Sequence, residues 1–167
     1  MKEKNSSEKL VMAAMLAALT CVATMVIKIP SPLNGYINLG DCFVLLAGWA
    51  LPASYGFLSA GIGSALADVF SGYATYAPAT FIIKGVMAVV AGYIFKIAKK
   101  PDNTVAMRVI SGLAAEAVMV VGYLLFESML YGFAPSLVNV VPNCIQGIAG
   151  LLIGVVLIKA TENKIRL

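Results

Sequence analysis

The feature that most constrains this chain is its succession of long apolar runs with few charges. The first extends from Leu10 to Ile27, and short segments rich in proline, glycine and asparagine separate it from those that follow. A helix needs about 20 apolar residues to cross the hydrocarbon core of a bilayer. Helices on the surface of a soluble domain instead carry a polar face. Strands of a membrane barrel alternate polar with apolar residues, whereas these runs are continuous and rich in Ala, Leu and Gly. Composition points the same way, with 60% hydrophobic and 12% charged residues, against about 45–50% and about 25% in soluble domains. So apolar a chain is not disordered either. It reads as an all-α integral membrane protein.

Length sets the number of spans. The 167 residues accommodate about six crossings with short loops and no soluble domain. The runs place spans near 10–27, 39–51, 55–70, 79–97, 105–130 and 137–158, within a single membrane domain over 1–167. Spans two and three are short for two full crossings, so one of them is expected to tilt, to be partly buried in protein, or to stop short. Two loops interrupt the apolar pattern, Lys28 to Gly35 with two prolines and Ser71 to Pro78 with two tyrosines. The first run is too long for a secretory signal and is followed by no cleavage site, so it is expected to be retained.

Charge orients the bundle. With the N-terminus in the cytoplasm and six crossings, Lys2, Lys4, Lys9, Lys96, Lys99, Lys100, Arg108, Lys159, Lys164 and Arg166 all fall inside, and only Lys28 and Lys84 of the 12 basic residues do not. That asymmetry satisfies the positive-inside rule and puts both termini in the cytoplasm of a multi-pass cell-membrane protein. The net charge of +4 is too small to suggest nucleic acid.

Familiar chemistry is missing. Histidine is absent, and the three cysteines, Cys21, Cys42 and Cys144, form no CxxC pair. Neither a metal site nor a disulfide framework is therefore indicated. There is no phosphate-binding GxxxxGK[ST] loop, no HExxH and no GxSxG. No catalytic residue, metal or cofactor is expected.

The informative residues are the polar ones that a membrane makes expensive, at about 2.5–3.5 kcal/mol each at mid-helix. Asp41, Asp68, Lys84 and Glu127 fall in the outer half of the six-span topology, and Glu116 lies nearer the middle. Asn139, Asn143 and Gln146 recur at i, i+4 and i+7, and Glu116, Tyr123 and Glu127 share a face of span five by the same spacing. These stripes converge on a pocket open to the exterior, for which Asp68, Tyr73, Lys84, Glu127, Asn139, Asn143 and Gln146 are the candidate lining residues. The competing reading is mutual pairing, Asp68 with Lys84 for example, with the amides as interhelical glue. Span one carries Ala13-x-x-x-Ala17 and Ala14-x-x-x-Ala18, and span six carries Gly150-x-x-x-Gly154. Such spacings let helices approach closely, within the chain or against a partner.

The stretches GYINLGD (Gly35 to Asp41) and SALADVFSGYATYAPATFIIKG (Ser64 to Gly85) resemble the S components of energy-coupling factor (ECF) vitamin transporters, nearest to the riboflavin-type and hydroxymethylpyrimidine/pyridoxine-type group. The resemblance extends over nearly the whole chain. It implies a substrate-binding subunit of an ABC importer that captures a vitamin outside and delivers it by toppling in the membrane. The implied partners are a transmembrane coupling subunit and two ABC-type ATPases, which would use the ATP in place of this chain. Ala13, Ala14, Ala17 and Ala18 would face the coupling subunit, and the Lys28–Gly40 and Ser71–Pro78 loops would cover the pocket.

Carboxylates, amides, a lysine and tyrosines suit a small aromatic ring bearing hydroxyl or amino groups. Pyridoxine or hydroxymethylpyrimidine is therefore the first expectation and riboflavin, with its larger apolar ring system, the second. A proton-coupled secondary transporter using Glu116 is the alternative, though no internal repeat supports it. A membrane enzyme using Asp68 and Lys84 and a purely structural subunit are further rivals.

Overall fold

The structure, a computed structural model, describes residues 5–33, 35–98 and 104–161. Lys2, Lys4, Lys99, Lys100, Lys164 and Arg166, six of the basic residues used for the orientation, lie outside the described residues. The elements are α1 (Ser6–Val26), a hairpin of β1 (Ile29–Pro30) and β2 (Tyr36–Ile37), α2 (Asp41–Ala50), α3 (Ala53–Phe70), α4 (Ala77–Ala98), α5 (Thr104–Tyr131), a single turn α6 (Phe133–Ser136) and α7 (Val140–Thr161). The two strands pair antiparallel, Ile29 with Ile37 and Pro30 with Tyr36. A 3₁₀ turn, Leu137–Asn139, joins α6 to α7.

Prolines mark the helix starts. Pro52 caps α3, and Pro78 and Pro142 occupy the first turns of α4 and α7, where a missing N–H breaks no intrahelical bond. Gly72, at φ +86°, turns the chain sharply after α3, a conformation in which a Cβ would be strained.

Four stretches among the described residues are long and apolar enough to cross a membrane: Ser6–Val26, Ala77–Ala98, Thr104–Tyr131 and Phe133–Thr161. Their large apolar side chains point outward along much of their length. Val11, Val22, Ile97, Leu125, Met129, Leu152 and Val156 are all exposed, an inverted surface that suits lipid and not water.

The second expected span is different. α2 has ten residues, about 15 Å of helix, and eight of the ten are buried. It is a short inner helix packed against α1, α3, α4 and α7, with Val44, Leu45 and Ala47 fully enclosed. Close approach makes this possible. A Cβ on Gly48 would collide with the backbone carbonyl of Ala88 in α4, so glycine lets the two backbones touch. Gly150 does the same between α7 and α2, since a Cβ there would collide with Asp41, whereas Gly154 lies at ordinary contact distance from Cys42.

Candidate functional site

The ends of α3, α5 and α6 and the starts of α4 and α7 meet at the end of the bundle away from the first and last described residues, and the β-hairpin folds over them. There they border a narrow, partly open cavity with about 40 Å³ of free space. The hairpin contributes Ser31, Gly35, Tyr36 and Asn38, and the α3–α4 turn contributes Tyr73 and Tyr76. Asp68, Thr80, Tyr123, Glu127, Asn143 and Gln146 complete the wall from the helices.

Several of these side chains are held by specific partners. The Tyr36 hydroxyl donates to Asp68 Oδ1 at 2.6 Å, and its ring lies 4.8 Å from that of Tyr73. Burial, reinforced by the charge of Asp68, pushes the Tyr36 phenol above its usual range, so it remains a donor. Thr80 and Tyr123 share a hydrogen bond at 3.0 Å. Tyr76 donates to the Leu33 carbonyl at 3.0 Å, which ties the α3–α4 turn to the hairpin. Asn139 Nδ2 donates to Glu127 Oε1 at 2.8 Å.

One layer deeper lies a charged group. Lys84 forms an ion pair with Asp41, and its ammonium sits 5.5 Å from the centre of the Tyr123 ring. Gln146 Nε2 donates to Asp41 Oδ2 at 2.7 Å. Gln146 Oε1 accepts from the backbone N–H of Asn38 at 3.0 Å and from Asn38 Nδ2 at 3.2 Å. A continuous polar chain thus runs from α4 through α2 and α7 to the hairpin. Glu116, on α5, faces Gly147 of α7 and does not border the cavity.

Five of the residues expected from the sequence therefore line one cavity: Asp68, Tyr73, Glu127, Asn143 and Gln146. Lys84 and Asn139 stand behind the wall, holding Asp41 and Glu127. Lys84 pairs with Asp41 and not with Asp68, the example given above, because Asp68 is turned to the hairpin by Tyr36. Asn139 belongs to the 3₁₀ turn, so the polar stripe begins before the α-helix does. Sequence reasoning passed over Tyr36, Asn38, Tyr76 and Thr80. Tyr123 carried a signal, four residues before Glu127 on the same face.

Three buried atoms next to this cavity have no partner among the described residues: Asp68 Oδ2, Glu127 Oε2 and Asn139 Oδ1. An unmade hydrogen bond at such a site costs about 1–3 kcal/mol, more for a charged group. Donors from water or from a ligand would satisfy these atoms.

The alanines occupy a second surface. Ala13, Ala14, Ala17 and Ala18 line an apolar groove between α1 and α3, with Leu10, Val22, Leu58, Ile62 and Leu66 around them. The Ser59 hydroxyl donates to the Ala13 carbonyl at 2.9 Å, and Gly63 abuts Ala17. Ala13 and Ala17 thus pack within the chain, while Ala14 and Ala18 are exposed.

A bundle with a lipid-facing exterior and an unsatisfied polar cavity at one end defines a membrane-embedded protein that binds a small molecule. The chain belongs to the family described as ECF-type riboflavin transporter, S component, whose model matches residues 4–163. It is thus an integral membrane protein and a substrate-binding subunit of a transporter, not an enzyme. An uncharacterized protein of Pyrococcus woesei, described as lying in the gap 3′ region, is 34% identical over 134 residues, 80% of this chain and 87% of that one. The fold matches a solved structure reported as "Structure and mechanism of the S component of a bacterial ECF transporter". The TM-score is 0.72 and the identity 22%, over 95% of this chain and 98% of that one.

Proposed function

We propose that this chain captures a vitamin in the cavity under the β-hairpin and delivers it as part of an ECF importer. The cavity faces the exterior and both termini lie in the cytoplasm. The bundle crosses the membrane six times, with α2 as the short inner segment. The partners are a transmembrane coupling subunit, which docks on the alanine groove, and two ABC-type ATPases that consume the ATP. The chain topples against the coupling subunit to move its ligand inward.

The observation that carries this reading is the cavity whose carboxylates, Asp68 and Glu127, each keep one oxygen unpartnered among the described residues. A core built only for stability pairs such groups or omits them.

The ligand is a planar heteroaromatic vitamin. Riboflavin is supported by the family to which the chain belongs and by the four tyrosines Tyr36, Tyr73, Tyr76 and Tyr123 on the wall, which offer the aromatic lining that the helical stripes alone lack. A hydroxylated pyridine or pyrimidine is the second reading. It is favoured by the tightness of the cavity, whose free space of about 40 Å³ lies well below the range of about 300–1,000 Å³ usual for ligand pockets.

Native mass spectrometry of the detergent-purified chain, followed by denaturing analysis of what co-purifies, tests the proposal. A bound flavin, pyridoxine or pyrimidine supports it and identifies the ligand. A chain that carries none of these and gains no thermal stability from any of them refutes the vitamin assignment.

A further inference from the structure

The cavity wall carries two carboxylates and no free cation among the described residues. Lys84 is committed to Asp41, and Lys28 stands exposed, where it donates to the Ser71 hydroxyl at 3.1 Å. Asp68 and Glu127 are 5% and 3% exposed, and they approach the cavity from different elements, the end of α3 and the last turns of α5. Each is oriented by hydrogen bonds to one oxygen only: Tyr36 fixes Asp68 Oδ1, and Asn139 fixes Glu127 Oε1. The second oxygen of each is buried without a partner. A carboxylate accepts and does not donate, so both positions call for an O–H or N–H of the ligand.

We propose that Asp68 and Glu127 form a charge and donor filter, which admits a neutral or cationic ligand presenting hydroxyl or amine donors at two points and excludes the phosphorylated form of the same ligand. This inference rests on the vitamin-binding reading and specifies its selectivity. Two physical effects act together. A ligand lacking either donor leaves a buried acceptor unpaired, the situation in which polar sites discriminate most strongly. A phosphate brings about −1.5 to −2 charges beside two carboxylates in a cavity whose neighbouring cation is already neutralised. The filter thereby restricts capture to the unphosphorylated ligand. Tyr36 and Asn139 are positioning residues, acting through the carboxylates they hold.

The test is binding to the purified full chain in detergent, measured by calorimetry or flavin fluorescence. The probes are riboflavin and pyridoxine, each with its 5′-phosphate. The free vitamin should bind roughly 100-fold or more tightly than its phosphate, as like-charge contacts of several kcal/mol require. Asp68→Asn and Glu127→Gln should each weaken the free vitamin and shrink that ratio at least about tenfold, since the charge is gone while the shape remains. Equal affinity of the wild-type chain for a vitamin and its phosphate overturns the filter, as does a ratio unchanged in both variants. The wild-type ratio alone is decisive should either variant fail to fold. Binding of none of the four probes overturns the vitamin assignment, and the filter with it, whereas binding without preference overturns the filter alone.

Discussion

Replacing Lys84 with methionine probes the link between the core and the hairpin. The ion pair of Lys84 with Asp41 is enclosed, the two side chains being 3% and 0% exposed. Methionine keeps most of the aliphatic stem and removes the charge. Asp41 would then retain Gln146 Nε2, 2.7 Å from Oδ2, and lose the partner of Oδ1. Breaking one side of a buried pair costs about 3–5 kcal/mol, because the remaining charge is left desolvated. On the scale of soluble domains of about 150–250 residues, each kcal/mol moves the midpoint by about 2–4 °C, so Lys84→Met should lower the melting temperature by about 6–20 °C. Adding Asp41→Asn removes the stranded charge and keeps an acceptor for Gln146, so the double variant should melt above the single one. Thermal unfolding of the purified chain in one detergent, with wild type, single and double variants side by side, gives the answer. A single-variant shift below about 2 °C, or a double variant that melts below Lys84→Met, would refute the reasoning. The same variants report on function, since the chain from Lys84 through Asp41 and Gln146 ends on Asn38 of the hairpin.

Three further outcomes are expected. Ala14→Leu or Ala18→Leu, at exposed positions of the α1 groove, should abolish uptake in cells while leaving ligand affinity of the isolated chain unchanged. Equal loss of both would contradict a docking role. Ala17→Leu should also lower the melting temperature, because Ala17 abuts Gly63. Asn143→Ala should weaken ligand binding by about 1–3 kcal/mol, read by calorimetry, and an unchanged affinity would remove Asn143 from the site. Gly48→Ala, whose methyl would run into the Ala88 carbonyl, should destabilise the fold by about 1–3 kcal/mol. A melting temperature equal to that of wild type would show that α2 and α4 can separate at no cost.

The sequence by itself determined the class of this protein. Long apolar runs with so few charges leave a chain no stable place except a bilayer, and prolines and glycines between them mark where helices begin and end. The polar cluster at one end was equally legible, because Asn143 and Gln146 on one helix and Tyr123 and Glu127 on another recur at helical spacing, and lipid disfavours such faces pointing outward. Tertiary structure alone decided the rest. Periodicity identifies the face a residue occupies and not the neighbour it meets. Lys84 therefore found Asp41, 43 residues away, in place of Asp68. Span length marked spans two and three as too short for two full crossings but left open which one is enclosed, since the burial of α2 depends on α1, α3, α4 and α7 closing around it. Of the four alanines, packing against Ser59 and Gly63 turned Ala13 and Ala17 inward and left Ala14 and Ala18 open. The tyrosines of the hairpin and the α3–α4 turn entered the cavity wall through contacts such as Tyr36 to Asp68 and Tyr76 to Leu33. Loops have no period from which such contacts can be read, and only the folded chain brings their partners within reach.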